Sequence, residues 1–429
     1  MLETLRNAFK IKDIRNRILF TFFMLVVIRI GSELPAPGVN GEVFKQWFES
    51  QSADGFGFFN AITGGSFLNM SVFALNITPY ITSSIIIQLL TIAIPKLEEM
   101  QRDGEEGRKK MTAITRYLTV ALALIQAVAM TIFFYRGDQL TSSGPLTFIM
   151  VVTGLTAGST VLMWIGERIT EKGVGNGISI VLTINIISRI PQDLGTLWSQ
   201  FIVNKSIPKA IVAALIICAI IVAMVVFVVF LQDAERRIPV QYSKKIQGRK
   251  QVGGQQTHIP LKVNTGGVIP VIFASSLMMA PIQIASFFPS NDFIKEMQKW
   301  LGLKTWYSLV IYVLLILFFT FFYTKMQINP EKVAENLGKS GSYIPSVRPG
   351  SETKDYINRV LSRITVLGSV ALAFIAVMPH VMPLIWPDLP SSMALGGTGM
   401  IIVVGVAIET VRQVQGLITQ KSYKKYYED

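Results

Sequence analysis

The residues able to carry out chemistry are few, and their spacing argues against most of it. The 429-residue chain has two histidines, His258 and His380, and one cysteine, Cys218. It contains no HExxH zinc motif, no pair of intramembrane aspartates, no nucleophile elbow and no Cys/His cluster at metal-binding spacing. The glycine-rich GVGNG at 173–177 would suit a phosphate cradle, but it lacks the preceding strand and the full spacing, so it reads as a tight turn. LGKSG at 337–341 is a similar decoy, since a Walker A loop needs glycine at 333, where Val333 stands. Glu409 and Arg412 are spaced to pair along a helix rather than to relay protons. We expect no enzymatic activity, no metal and no cofactor.

What remains is a set of hydrogen-bonding groups inside apolar runs. Residues 72–95 (VFALNITPYITSSIIIQLLTIAIP) are long enough to span a bilayer, yet they carry Asn76, Thr78, Pro79, Thr82, Ser83, Ser84 and Gln88. Lipid offers such groups nothing, so they should face neighbouring helices or a water-filled cavity. Residues 58–68 (FFNAITGGSFL) are apolar and aromatic but broken by Gly64 and Gly65. As a helix they would reach about 16 Å, roughly half of a hydrocarbon core. A half-length segment leading into a polar-studded span is what a pathway through a membrane needs.

The elements that position these groups follow from hydropathy. Hydrophobic residues make up 51% of the chain, and the mean hydropathy of +0.47 excludes a soluble domain. Ten spans can be drawn at about 18–36, 72–95, 113–135, 146–166, 176–198, 208–232, 266–288, 306–328, 362–384 and 394–414. The fifth is short of apolar residues, but the charge bias survives only if it crosses. With both termini on one face, that face collects 31 of the 40 Lys and Arg residues and 18 of the 27 Asp and Glu. The whole excess of +13 therefore lies there, and by the positive-inside rule it is cytoplasmic. Residues 1–17 read as an amphipathic helix on the inner leaflet and 415–429 as a cytoplasmic tail. Arg29 should snorkel to the outer interface, and Cys218 sits in an apolar run with no partner for a disulfide.

Ten spans divide into two halves of five, 18–198 and 208–414, and an odd number per half inverts one relative to the other. ITPYITSS in the second span and IPVIFASS in the seventh both place Pro, then Ile two residues on, then a Ser-Ser pair, each followed by a lone glutamine. These two helices should face each other across a pseudo-two-fold axis. The expected fold is an all-α polytopic membrane protein with a short plug helix. Two long basic loops interrupt it. Residues 233–265 read as an ordered hairpin, and residues 329–361 combine a short helix with the turn IPSVRPG. Ordered and basic, both suit docking of ribosomal RNA or a soluble motor.

Read together, the second span, GERITEKGVGNGISI, QGRKQVGGQQTHIPLKVNTGGVIPVIFASS and IPSVRPGSETKDYI resemble the bacterial SecY family of Sec protein-translocase channels. The resemblance runs from about residue 10 to 420. It implies a passive channel that passes unfolded secretory polypeptides across the bacterial cytoplasmic membrane and releases transmembrane segments laterally into lipid. The plug would comprise Phe58, Phe59, Asn60, Ile62, Gly64, Gly65 and Phe67. The pore ring would comprise Ile77, Ile81, Ile178, Leu182, Ile272 and Ile402, branched alkyl groups that dewet a constriction. The second and seventh spans would form a lateral gate, with Thr82, Ser84, Gln88, Ser275 and Ser276 hydrogen-bonding across it. Arg249, Lys250 and Arg348 would dock the SecA ATPase or the ribosome. SecE and SecG would be partner subunits, and a secretory precursor or signal peptide, with membrane lipid, would occupy the path and gate. The competing class is an inverted-repeat secondary transporter, which would want an ionisable site at mid-membrane. The middles of these spans carry almost no charge.

Overall fold

The computed structural model describes residues 6, 8–50, 63–137, 139–142, 144–201, 207–242, 245–247, 250–252, 256–286, 296, 300–301, 305–385 and 398–428. The N-terminal part contains α1 (Lys12–Glu33), α2 (Gly41–Ser50), α3 (Thr78–Ala93), α4 (Pro95–Arg102), α5 (Gly104–Arg136), α6 (Pro145–Lys172) and α7 (Gly177–Phe201). α8 (Ile207–Asp233) leads into strands β1 (Glu235–Tyr242), β2 (Lys245–Gln247), β3 (Lys250–Val252) and β4 (Gln256–Lys262). α9 (Ile269–Ser286), α10 (Trp306–Gln327), α11 (Pro330–Lys339), β5 (Ser342–Tyr343), α12 (Ser351–Ile385) and α13 (Thr398–Glu428) complete the chain.

Helices α1, α3, α5, α6, α7, α8, α9, α10, α12 and α13 stand in the order of the ten expected spans. Among the described residues, six helices are long and apolar enough to cross a membrane, or seven if α3 and α4, bent by 109°, are one span. α7 and α9 contain shorter apolar stretches, Gly177–Gln192 and Ile269–Met278. Large apolar side chains such as Ile125 on α5, Leu215 on α8 and Phe374 on α12 point outward, as a lipid-facing exterior requires.

Four expected boundaries move. α3 begins at Thr78, not 72, because residues 72–77 are turns, Asn76 has a φ of +52° and Pro79 fits a first helical turn. Of the half-length stretch 58–68, residues 58–62 lie outside the described residues. Residues 63–68 form turns and not the expected helix, since Gly64 and Gly65 both take positive φ. Residues 8–10 are helical, α1 starts at Lys12, inside the stretch 1–17, and Ile14 is buried against Val174 and Val414. α13 continues to Glu428, so residues 415–428 extend the helix of the last span without a break.

Burial sorts into four apolar clusters. The largest runs through the middle of the bundle and draws on α1, α3, α6, α7, α8, α9, α10, α12 and α13. A second cluster caps it, joining Phe44 of α2, Phe67, Met70 and Leu75 with Phe134 of α5 and Leu155 of α6. The third lies outside the helical bundle, under a three-stranded sheet ordered β4-β1-β5. The fourth is the small cluster around Ile14. β1 and β4 pair antiparallel from Glu235↔Lys262 to Gln241↔Gln256, and β2 and β3 form a further hairpin at the tip. β5 comes from the other long loop, so Ile238, Val240 and Leu261 share a core with Ile344, Ile357 and Leu361. The sequence reading treated these loops as separate posts; they fold as one unit.

Candidate functional site

The six expected ring residues all belong to the large central apolar cluster or pack against it. Ile77 directly precedes α3, Ile81 lies in its first turn, and Ile178 and Leu182 come from α7, Ile272 from α9 and Ile402 from α13. The i, i+4 spacing on α3 and on α7 puts each pair on one helical face. Ile77, Leu182 and Ile402 are buried members of the largest cluster, and Ile81, Ile178 and Ile272 pack against it while partly exposed. Gly166 of α6 backs the assembly: a Cβ there would lie 3.3 Å from Ile178 Cγ1 and 3.6 Å from Ile77 Cδ1.

The glycine-rich turn before α7 is used for packing. The Val174 amide donates to Thr21 Oγ1 at 3.0 Å, the Gly175 amide donates to Gln413, and the Gly177 amide donates to Thr170 Oγ1 at 2.9 Å. A Cβ on Gly177 would fall 1.8 Å from the Gly166 carbonyl oxygen, so only glycine lets α7 approach α6 here. With these three amides occupied, no phosphate nest remains at them.

Phe58, Phe59, Asn60 and Ile62 lie outside the described residues. Phe67 sits in the capping cluster, edge-on to Phe44 with ring centroids 5.4 Å apart, and Phe44 meets Phe134 at 5.5 Å. Gly64 packs on the α7 backbone, where a Cβ would lie 2.6 Å from the Asn185 carbonyl oxygen. Gly65, at φ +87°, has open space where a Cβ would stand.

α3 packs against α9, as the matched segments suggested. The expected hydrogen bonds across that seam are not there. Thr82 Oγ1 donates to the Thr78 carbonyl oxygen at 3.1 Å, and Gln88 Nε2 donates to Ser84 Oγ at 3.2 Å, both within α3. Ser275 turns away, donating to the Val271 carbonyl oxygen and lying 3.0 Å from the Tyr312 hydroxyl on α10. Ser276 is partly exposed and makes no bond to Gln88. A short hydroxyl on a helix finds its own i−4 carbonyl more readily than a partner across a seam.

Two charges also have partners that were not expected. Arg412 pairs with Asp233 on α8 and not with Glu409. Arg29 has two polar partners the sequence did not show: it donates to Ser188 Oγ at 3.0 Å and to Glu33 Oε1 at 2.9 Å.

At the sheet unit, the Arg348 side chain is 87% exposed and its guanidinium lies 3.9 Å from Glu352. Its turn is shaped by Ser346 at φ +67° and by Thr353 Oγ1, which donates to the Arg348 carbonyl oxygen at 2.7 Å. Lys250 opens β3, and Arg249 lies outside the described residues. On α11, the Lys339 ammonium bonds Glu335 and holds its carboxyl below the usual range. The sequence reading missed the buried pair Asn76 and Asn185, joined at 3.1 Å beside the apolar ring. The only signal for it was a lone asparagine in each of two apolar runs.

Residues 71–411 match the SecY family model. The chain is 44% identical to the protein translocase subunit SecY of Halalkalibacterium halodurans, over 99% of this chain and all of that one. A solved SecY channel, whose plug domain stabilises the closed state and maintains a membrane seal, superposes with a TM-score of 0.62 at 18% identity, covering 94% of this chain and 92% of that one. Sec61 in a canine ribosome–channel complex superposes with a TM-score of 0.58 at 17% identity, over the same shares of each chain. These structural likenesses establish a common channel fold, and the family match gives no support to a small-solute transporter. The chain belongs to the SecY family and is a multi-pass membrane protein that conducts polypeptides as a translocase channel.

Proposed function

We propose that Ile77, Ile81, Ile178, Leu182, Ile272 and Ile402 form the constriction of this channel, with residues 58–68 as its plug. The observation that carries the reading is that two pairs from one half and two single residues from the other share one apolar cluster at the bundle centre. Branched alkyl groups exclude water and ions when the waist is empty, and they make no hydrogen bond that would select one passing sequence over another. Phe67 anchors the end of the plug segment in the capping cluster. The α3–α9 seam is the lateral gate, where an entering apolar segment meets lipid. No hydrogen bond among Thr82, Ser84, Gln88, Ser275 and Ser276 spans that seam, so these five groups do not lock it and an apolar segment separates it by offering equivalent packing contacts.

The sheet unit built from 233–265 and 329–361 is the docking face, with Arg249, Lys250 and Arg348 for the SecA ATPase or the ribosome. Nucleotide hydrolysis belongs to the motor. SecE and SecG complete the complex, and the charge bias puts both termini in the cytoplasm. Domain limits of 18–198 and 208–414 follow from the inverted halves.

The test is resting ion conductance of the reconstituted translocase in a planar bilayer. Ile81→Ala combined with Ile272→Ala removes ring methylenes without breaking a helix, and it should leak ions while remaining assembled. Conductance equal to the parent would count against the ring.

A further inference from the structure

The short segment between the plug and α3 is tied at both ends to one hydrogen-bonded circuit. At one end Asn69 Nδ2 donates to Glu33 Oε2 at 3.2 Å. Arg29 bridges Glu33 Oε1, at 2.9 Å, to Ser188 Oγ, at 3.0 Å. Ser188 Oγ in turn donates to the Asn185 carbonyl oxygen at 2.7 Å. At the other end Asn185 Nδ2 donates to Asn76 Oδ1 at 3.1 Å. Ser159 of α6 secures the same residue, its hydroxyl donating to the Asn76 carbonyl oxygen at 3.0 Å. Asn76, Asn185 and Ser159 are all buried.

The placement matters more than the number of bonds. Asn76 directly precedes Ile77, and Asn185 lies about one helical turn beyond Leu182. The backbone already fastens this segment to the end of α1, with the Ala36 amide donating to the Met70 carbonyl oxygen and the Val72 amide to that of Leu34. The circuit adds the tie to α7, the helix that carries Ile178 and Leu182. We propose that Asn185 and Arg29 are positioning residues of the closed channel: through Asn76 and Asn69 they hold the post-plug segment against α7 and so hold Ile77 in register with Leu182. This rests on the reading of Ile77 and Leu182 as members of the constriction.

The chemistry suits a reversible tie. Parting two buried amides in an apolar waist is costly while nothing replaces their bonds. A polypeptide entering the waist brings amide donors and acceptors of its own, which can take up the freed Asn76 and Asn185 groups. The circuit therefore resists opening of an empty channel more than opening of an occupied one.

The experiment compares resting ion conductance and membrane abundance of the reconstituted translocase carrying Asn185→Ala, Asn76→Gly or both. Glycine accepts the φ of +52° at 76 without strain, so this variant removes the side-chain acceptor while easing the backbone. Each single variant should raise the resting leak about three- to tenfold, the size expected for one buried hydrogen bond in a membrane. The double variant should leak no more than the worse single one, because both remove the same bond. Ser188→Ala should leak as well, and Ser188→Thr, which keeps the hydroxyl, should not. Parental conductance in Asn185→Ala and Asn76→Gly, with the Ile81/Ile272 double alanine variant leaking, would overturn the circuit and leave the ring standing. Parental conductance in all of them would overturn the ring and the circuit with it.

Discussion

The two helices that face each other at the gate seam are anchored at opposite ends of the molecule. α3 starts at Thr78, directly after Asn76 and Ile77, the last residues of the turns that precede it, and Asn76 is tied to α7. α9 starts a few residues beyond β4, where the Val263 amide donates to the Ala234 carbonyl oxygen at 2.9 Å and a Cβ on Gly368 of α12 would lie 2.4 Å from the Val263 carbonyl oxygen. Both are held at their N-termini, and because they run in opposite directions one is held beside the plug and the other beside the sheet. If the seam is the gate proposed above, the comparison implies two separate inputs: displacement of the plug would act on α3, and a partner pressing on the sheet would act on α9.

The strongest way to break this comparison is at the docking face. Arg348→Glu should reduce SecA-driven export by more than tenfold while leaving thermal stability unchanged, since Arg348 is exposed and its contact with Glu352 is long. Normal precursor uptake into vesicles carrying the variant would remove the docking role. Next comes the coupling of sheet to helix. Ile238→Ala empties a buried position in the sheet core and should destabilise that unit by about 2–5 kcal/mol. Protease nicking at residues 243–255 should rise while conductance stays at the parental level, and a leak without nicking would merge the two inputs into one.

The smallest effect sharpens the seam itself. Gln88 spends its Nε2 on Ser84 and leaves a buried Oε1 without a partner, so Gln88→Leu should stabilise the closed seam by about 1 kcal/mol. Signal sequences of weak hydrophobicity should then be exported less efficiently. An increase in their export would mean that Gln88 holds the seam shut by bonds absent from the resting arrangement.

The order of the ten helices was legible in hydropathy, and motif resemblance picked out six residues that share one apolar cluster, because apolar periodicity and local motifs survive without knowledge of tertiary contacts. The start of α3 was not legible: a continuous apolar run hides a left-handed asparagine, and only packing against α7 reveals that residue 76 lies outside the helix. The partners of Arg29 were not legible either, because sequence shows its depth but not Ser188 and Glu33 beside it. The joint sheet escaped for the same reason. β5 is two residues long, and its partner strand lies about a hundred positions earlier in the chain.

The most direct test of the central claim is cross-linking to a precursor arrested during translocation. Exposed Cys218 is first replaced by serine, and single cysteines are then placed by Ile77→Cys, Ile81→Cys and Ile272→Cys, with Leu215→Cys on the lipid-facing side of α8 as the control. The account predicts adducts to the arrested chain at all three ring positions and none at 215. Adducts at 215 with none at 77, 81 and 272 would contradict it.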